Sequence, residues 1–176
     1  MMEVNKRAPV VAASEIEVAA APEIVWDLIA DIDGWPHWNP AVKEASLSGG
    51  LTEGSTFRWK AGSGAITSRF RRLERPRLVG WTGKTFGIYA IHVYRLEPRD
   101  GQTIVSTAES WDGWPARLLL RRMQTMLEDA LHPALQALKA EAERRAAPGV
   151  APSARSRRRR RVVPGKEKDD YGNAVR

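Results

Sequence analysis

Pro22-Glu-Ile-Val-Trp-Asp-Leu-Ile-Ala-Asp31-Ile-Asp-Gly-Trp-Pro-His-Trp-Asn-Pro40 is the stretch on which the fold of this chain turns. Pro22 suits the first turn of a helix, where its missing N–H has no intrahelical partner to lose. Ile24, Val25, Leu28, Ile29 and Ile32 give that helix one apolar face, and Asp33-Gly34 ends it. Positions 35–40 hold two prolines, so at most one more helical turn fits before the chain extends. Just upstream, residues 14–18 alternate Ile16 and Val18 with Glu15 and Glu17, the pattern of a half-buried strand.

Downstream the period changes to two. Residues 55–60 set Phe57 and Trp59 against Arg58 and Lys60, and residues 65–73 and 78–82 flank Glu74-Arg-Pro-Arg77. Residues 88–96 run into Pro98-Arg-Asp-Gly101, a hairpin signal, and residues 103–111 return. Strands joined by such short turns form an antiparallel meander, because parallel neighbours need crossovers of about a dozen residues. The sheet twists and curls, leaving a concave face. Over residues 114–145, Leu119, Met123, Met126, Leu127, Ala130, Ala134, Leu135 and Leu138 recur at three and four, a helix that packs on the sheet. Pro133 removes the bond to the Asp129 carbonyl and predicts a kink there. A bent helix across a curved sheet encloses space, unless large side chains close it.

This order resembles the helix-grip fold of the START-like superfamily (SRPBCC), in its bacterial polyketide cyclase/dehydrase-like branch. The residues that carry the resemblance are Ala21-Pro-Glu-x-Val-Trp26, Trp35-Pro-x-Trp-Asn-Pro40, Val79-x-Trp-Thr-Gly83, His92 and Glu109-Ser-Trp-x-Gly113. The resemblance implies an α+β domain: a curved antiparallel sheet of about seven strands, two short helices after the first strand, and a long C-terminal helix across the sheet. Members of the superfamily include lipid carriers, ring-forming cyclases, hydrolases and ligand sensors. Binding of a hydrophobic small molecule, lipid or polyketide-like, in an internal cavity is the leading expectation. A cyclase/dehydratase working by acid–base chemistry in the same cavity, without metal or cofactor, is the alternative.

The hairpin supplies the candidate chemistry. With a two-residue Arg99-Asp100 turn, His92 faces Thr107, Tyr94 faces Val105 and Ala90 faces Glu109, and cross-strand partners share a side. His92 and Glu109 then sit diagonally in an otherwise apolar set. A buried carboxyl and imidazole shift each other's pKa and can exchange protons with a carbonyl substrate, while the Tyr94 hydroxyl holds a developing enolate. The same groups serve equally to satisfy one another inside a binding cavity. The ligand contacts expected around them are Phe57, Trp59, Phe70, Trp81, Trp111, Trp114, Met123 and Leu127, aromatic residues offering large apolar area with, in tryptophan, one polar handle. Trp26, Trp35 and Trp38 are expected to pack structurally. His37, His92 and His132 lie on separate elements without metal spacing, so no metal is expected.

The net charge of +7 is uneven. Residues 148–176 hold nine Lys/Arg against three acids, so the preceding residues are close to neutral. Composition changes at the same place to a Pro-, Gly- and Ser-bearing run, expected to be a disordered Arg-rich tail. The expected organisation is a flexible N-terminus over 1–9, the ligand-binding domain over 10–147 and the tail over 148–176. Arg157 to Arg161 offer contact to nucleic acid or an anionic membrane, without interleaved aromatics for base stacking. The absence of cysteine removes disulfides and thiolate chemistry. The short apolar run of Val10 to Ala13 is no signal-peptide core, so the expectation is a cytoplasmic monomer or dimer.

Overall fold

In the computed structural model, which describes residues 2–62 and 64–147, the first strand is the longest-range organiser of the domain. β1 (Val10–Val18) pairs antiparallel with the last strand, β7 (Gln102–Asp112), although some ninety residues separate them. Between them run β2 (Val42–Ser48), β3 (Thr56–Ala61), β4 (Gly64–Glu74), β5 (Leu78–Thr85) and β6 (Ile88–Arg99). The seven strands form one antiparallel sheet in the order β1-β7-β6-β5-β4-β3-β2. Consecutive strands from β2 to β7 are neighbours, as a meander requires. The curved sheet with a long C-terminal helix is the expected helix-grip architecture. β2 is the strand for which the sequence reading set no bounds.

The opening stretch has to carry the chain from β1, at one edge of the sheet, to β2 at the other. It does so with α1 (Pro22–Ala30), a 3-10 turn (Ile32–Gly34) and α2 (Trp35–Trp38). α1 buries Val25, Trp26, Leu28, Ile29 and Ala30, and the Trp26 indole donates to the Leu78 carbonyl at 3.1 Å. The helix stops at Ala30, earlier than Asp33-Gly34, because Asp31 leaves helical geometry and Ile32 starts the tighter turn.

The C-terminal segment differs from the expected single helix. α3 (Trp114–Leu118) is separated from α4 (Leu120–Ala146) at Leu119, whose φ of −112° and ψ of 36° are not helical. α4 continues through Pro133. Its buried stripe is Leu127, Leu131, Leu135, Leu138 and Ala142, whereas Met126 and Leu119, assigned to the stripe from sequence, are exposed. The stripe is narrower than the spacing suggested because α4 is covered mainly on the side that faces β1 and α1.

The start of α3 depends on one backbone position. Gly113 has φ of 125°, and a Cβ there would collide with the Gly87 carbonyl oxygen. Gly113→Ala is expected to lower stability by roughly 1–3 kcal/mol, read as a shift in the urea midpoint without change in slope.

Residues 2–7, expected to be flexible, lie on the outer face of the sheet. The Arg95 guanidinium donates to the Met2 carbonyl at 2.6 Å, and the Asn5 N–H donates to the Ser110 hydroxyl at 3.1 Å. Gly80 leaves room for the Met2 sulfur, which any Cβ at that position would strike. The tail and its Arg157–Arg161 run lie outside the described residues. Among those described, no helix is long and apolar enough to cross a membrane.

Candidate functional site

The helix-facing side of the sheet carries two separate apolar clusters. The larger runs from Val18 and Val105 to Leu135, Leu138 and Ala142, and the smaller gathers Val10, Ala12, Ala116, Leu127 and Leu131. Each of three elements contributes to both clusters: β1 through Val10 and Val18, β7 through Val105 and Trp111, and α4 through Leu131 and Leu135. Between them along β7 stand Thr107 and Glu109, and opposite these on β6 stand Tyr94 and His92. The period of two brings all four side chains to the same face. The core is thus crossed by a polar band.

Within the band His92, Thr107 and Glu109 are linked, and Trp111 joins them at one end. The observed turn is Asp100-Gly101, with φ of 49° and 81°, so Arg99 pairs with Gln102 and His92 directly opposes Glu109. The expected register was therefore two residues out, and the diagonal placement of the pair is corrected to a direct one. Asp-Gly is the residue pair that a type I′ turn favours, because both central positions need positive φ. That signal marks the true turn.

The His92 Nδ1 lies 3.2 Å from Glu109 Oε2, and its Nε2 lies 2.8 Å from the Thr107 hydroxyl. The Trp111 indole donates to Glu109 Oε1 at 2.8 Å. Burial pushes the His92 imidazole below its usual pKa, and the charge of Glu109 pulls it partly back. With His92 neutral, the carboxylate selects the Nδ1–H tautomer, so Nε2 accepts from Thr107. Burial, and then the Glu109 charge, raises the Tyr94 phenol well above its usual range, against a hydrogen bond to Thr107. At neutral pH the Tyr94 phenol and the His92 imidazole are both neutral, with the Thr107 hydroxyl and Glu109 beside them. The band can relay a proton between Thr107 and Glu109 through His92, and it can equally orient a bound carbonyl or hydroxyl.

Aromatic rings flank the band. Trp81 stands 4.7 Å from the His92 ring and 5.7 Å from Tyr94, and His92 and Tyr94 stack at 4.7 Å. Trp35, delivered by α2, packs 5.5–5.7 Å from Phe57, Trp59 and Trp81. Of the expected contacts, Phe57, Phe70 and Leu127 are fully buried in the clusters, and Trp81 nearly so. Trp59, Trp111 and Met123 are half-buried, and Trp114 is exposed beside Gly87. The structure brings Trp81, Trp111, His92, Tyr94 and Glu109 together. Thr107, the group that completes the band, was placed on the correct face by sequence but given no role. Trp38 Nε1 is a buried donor without an acceptor among the described residues, although its position suggested packing alone. A groove of about 550 Å³ opens on the opposite, outer face, beneath Glu3, Val4 and Lys6 and beside Arg95. No cluster of three or more potential metal ligands occurs among the described residues.

The model of one family, described as polyketide cyclase / dehydrase and lipid transport, matches residues 9–143. Similar solved structures include a hypothetical protein from Helicobacter pylori, at 15% identity and a TM-score of 0.70, covering 81% of this chain and 97% of that one. A START superfamily protein from Mycobacterium smegmatis aligns at 16% identity and 0.65, covering 76% and 97%. An aromatase/cyclase from Streptomyces sp. R1128 aligns at 17% identity and 0.64, covering 78% and 96%. These likenesses are ones of fold. No curated protein matches the sequence.

Proposed function

Because the chain belongs to the polyketide cyclase/dehydrase and lipid-transport family, we propose that residues 10–147 bind a hydrophobic small molecule, lipid or polyketide-like, against the helix-facing side of the sheet. The observation that carries this reading is the polar band of His92, Glu109, Thr107 and Tyr94 set between two apolar clusters, with Trp111 bonded to its end and Trp59 and Met123 half-buried against the clusters. A few convergent polar groups in an apolar surround are what orients a ligand held mainly by burial. The unpartnered Trp38 indole adds a donor whose desolvation, at about 1–3 kcal/mol, a ligand oxygen offsets.

Native mass spectrometry of freshly purified protein, followed by titration with a long-chain fatty acid and an aromatic polyketide mimic, tests the reading. Saturable binding weakened about tenfold by Met123→Ser supports it, since that change removes apolar contact worth about 1–2 kcal/mol. Failure to retain or bind any apolar molecule overturns it.

The second reading is an acid–base enzyme of the cyclase/dehydratase type on the same groups. Its support is that His92 is held neutral between a carboxylate and a hydroxyl, ready to take a proton beside a carbonyl. The aromatase/cyclase among the structural neighbours points the same way. Turnover of a linear aromatic polyketide precursor should fall by about 10²-fold or more in His92→Ala and in Glu109→Gln. Equal rates in all three proteins would remove catalysis and leave binding.

A further inference from the structure

Where β5 turns into β6 and β7 gives way to α3, the domain presents its large apolar side chains outward. Phe86 is 76% exposed, Trp114 68% and Leu118 71%, with Leu119, Leu120 and Met126 all above two-fifths. Three consecutive leucines point about 100° apart on a helix, so a helix packed along its side hides at least one of them. The break at Leu119 leaves all three in solvent. Phe86 is the sharper anomaly. It occupies a turn position with φ of 42°, where Asn or Gly is favoured, and no burial offsets that choice. The Trp114 ring lies against Gly87, so the Phe86 turn and α3 form one surface.

The α3–α4 junction itself carries only basic charges. From Gly113 through Leu127 there is no acid, and Arg117, Arg121 and Arg122 alternate with the leucines. Arg121 and Arg122 are exposed and have no acidic partner among the described residues. Arg117 reaches back to Asp112 at 3.0 Å. A second copy of the chain, seated face to face across a two-fold axis, would set these arginines against themselves. Trp, Phe and Leu bordered by unpaired Arg is instead the chemistry of a segment lying in the headgroup plane of an anionic bilayer.

We propose that the Phe86 turn and the α3–α4 junction dock on an anionic lipid bilayer. Phe86, Trp114 and Leu118 to Leu120 enter the headgroup boundary, and Arg117, Arg121 and Arg122 meet lipid phosphates. The docking goes beyond the interior binding proposed above and stands whether or not the interior holds a ligand.

The full chain is to be sedimented with phosphatidylcholine vesicles, with and without phosphatidylglycerol. Binding is expected with the anionic lipid, weakened about tenfold by Leu118→Ser/Leu119→Ser and by Arg121→Glu/Arg122→Glu. Phe86→Asn suits the left-handed turn, so it should keep or raise the melting temperature while lowering vesicle affinity. The chain has no cysteine, so Leu118→Cys carries a single environment-sensitive dye. Its emission should shift to the blue on anionic vesicles, while the same dye on Asp100→Cys, at the far end of the β6–β7 hairpin, stays unchanged. Undiminished affinity in both double variants assigns vesicle binding to other residues, the tail included, and overturns the proposal. A Leu118 dye that stays in water, binding of equal strength to neutral lipid, or dimerisation abolished by the same variants overturns it as well.

Discussion

Trp35→Ala is expected to lower the unfolding free energy by about 3–5 kcal/mol. Trp35 is nearly buried, and its ring meets Phe57, Trp59 and Trp81. Its indole donates to the Ile29 carbonyl at 3.0 Å, which ties α2 to the end of α1. Removing it opens a cavity among rings that cannot collapse together, because Phe57 and Trp59 are anchored on β3 and Trp81 on β5. Trp35→Phe separates the two contributions: it keeps most of the ring volume, loses the donor, and should cost about 1–3 kcal/mol. Denaturant unfolding followed by far-ultraviolet circular dichroism measures both. A loss below about 1 kcal/mol for Trp35→Ala would mean that the aromatic cluster does not hold the helix pair on the sheet.

The second large effect belongs to the polar band. Glu109→Ala leaves the His92 Nδ1–H and the Trp111 indole without their acceptor and should cost about 2–4 kcal/mol. The band also predicts a pH dependence. The His92 pKa is lower in the folded protein than in the unfolded chain, where it is about 6.5. Between the two values the unfolded chain binds the proton and the folded one does not, so stability rises with pH. It is lost as pH falls below about 6.5, by at most about 1.4 kcal/mol per pH unit for the one group. His92→Gln should flatten that dependence. Glu109→Gln should make acid destabilisation begin to saturate at lower pH, because the charge that supports the imidazolium is gone. A parent protein whose stability is level from pH 7 to 5 would contradict a neutral buried His92.

Most elements were legible because their signals are local. Pro22 and the spacing of Val25, Leu28 and Ile29 mark α1, and alternation marks β3 through β7. β2 escaped because Lys43-Glu-Ala-Ser-Leu-Ser48 has few apolar residues to alternate, and as an edge strand it buries only Val42. The face carrying His92, Tyr94 and Glu109 survived a register error, since a slip of two residues returns every side chain to its own side. A slip of one would have inverted the site. Phe86 was passed over because nothing in Thr85-Phe-Gly-Ile88 tells an exposed aromatic from a core one.

The sequence by itself determined the order of the helices and of every strand but β2, the parity of those strands, and the segregation of charge into the last residues, because these follow from periods of two and 3.6 and from composition. Only the tertiary structure decided what meets what. The pairing of β1 with β7 carries α4 across the sheet, and the Asp100-Gly101 turn sets His92 directly against Glu109. Trp35 meets aromatic residues of two strands, β3 and β5, and the break at Leu119 leaves three leucines uncovered. The physical reason is that burial is non-directional: an apolar side chain announces that it will leave water, but its partner depends on contacts that close only when distant segments pack.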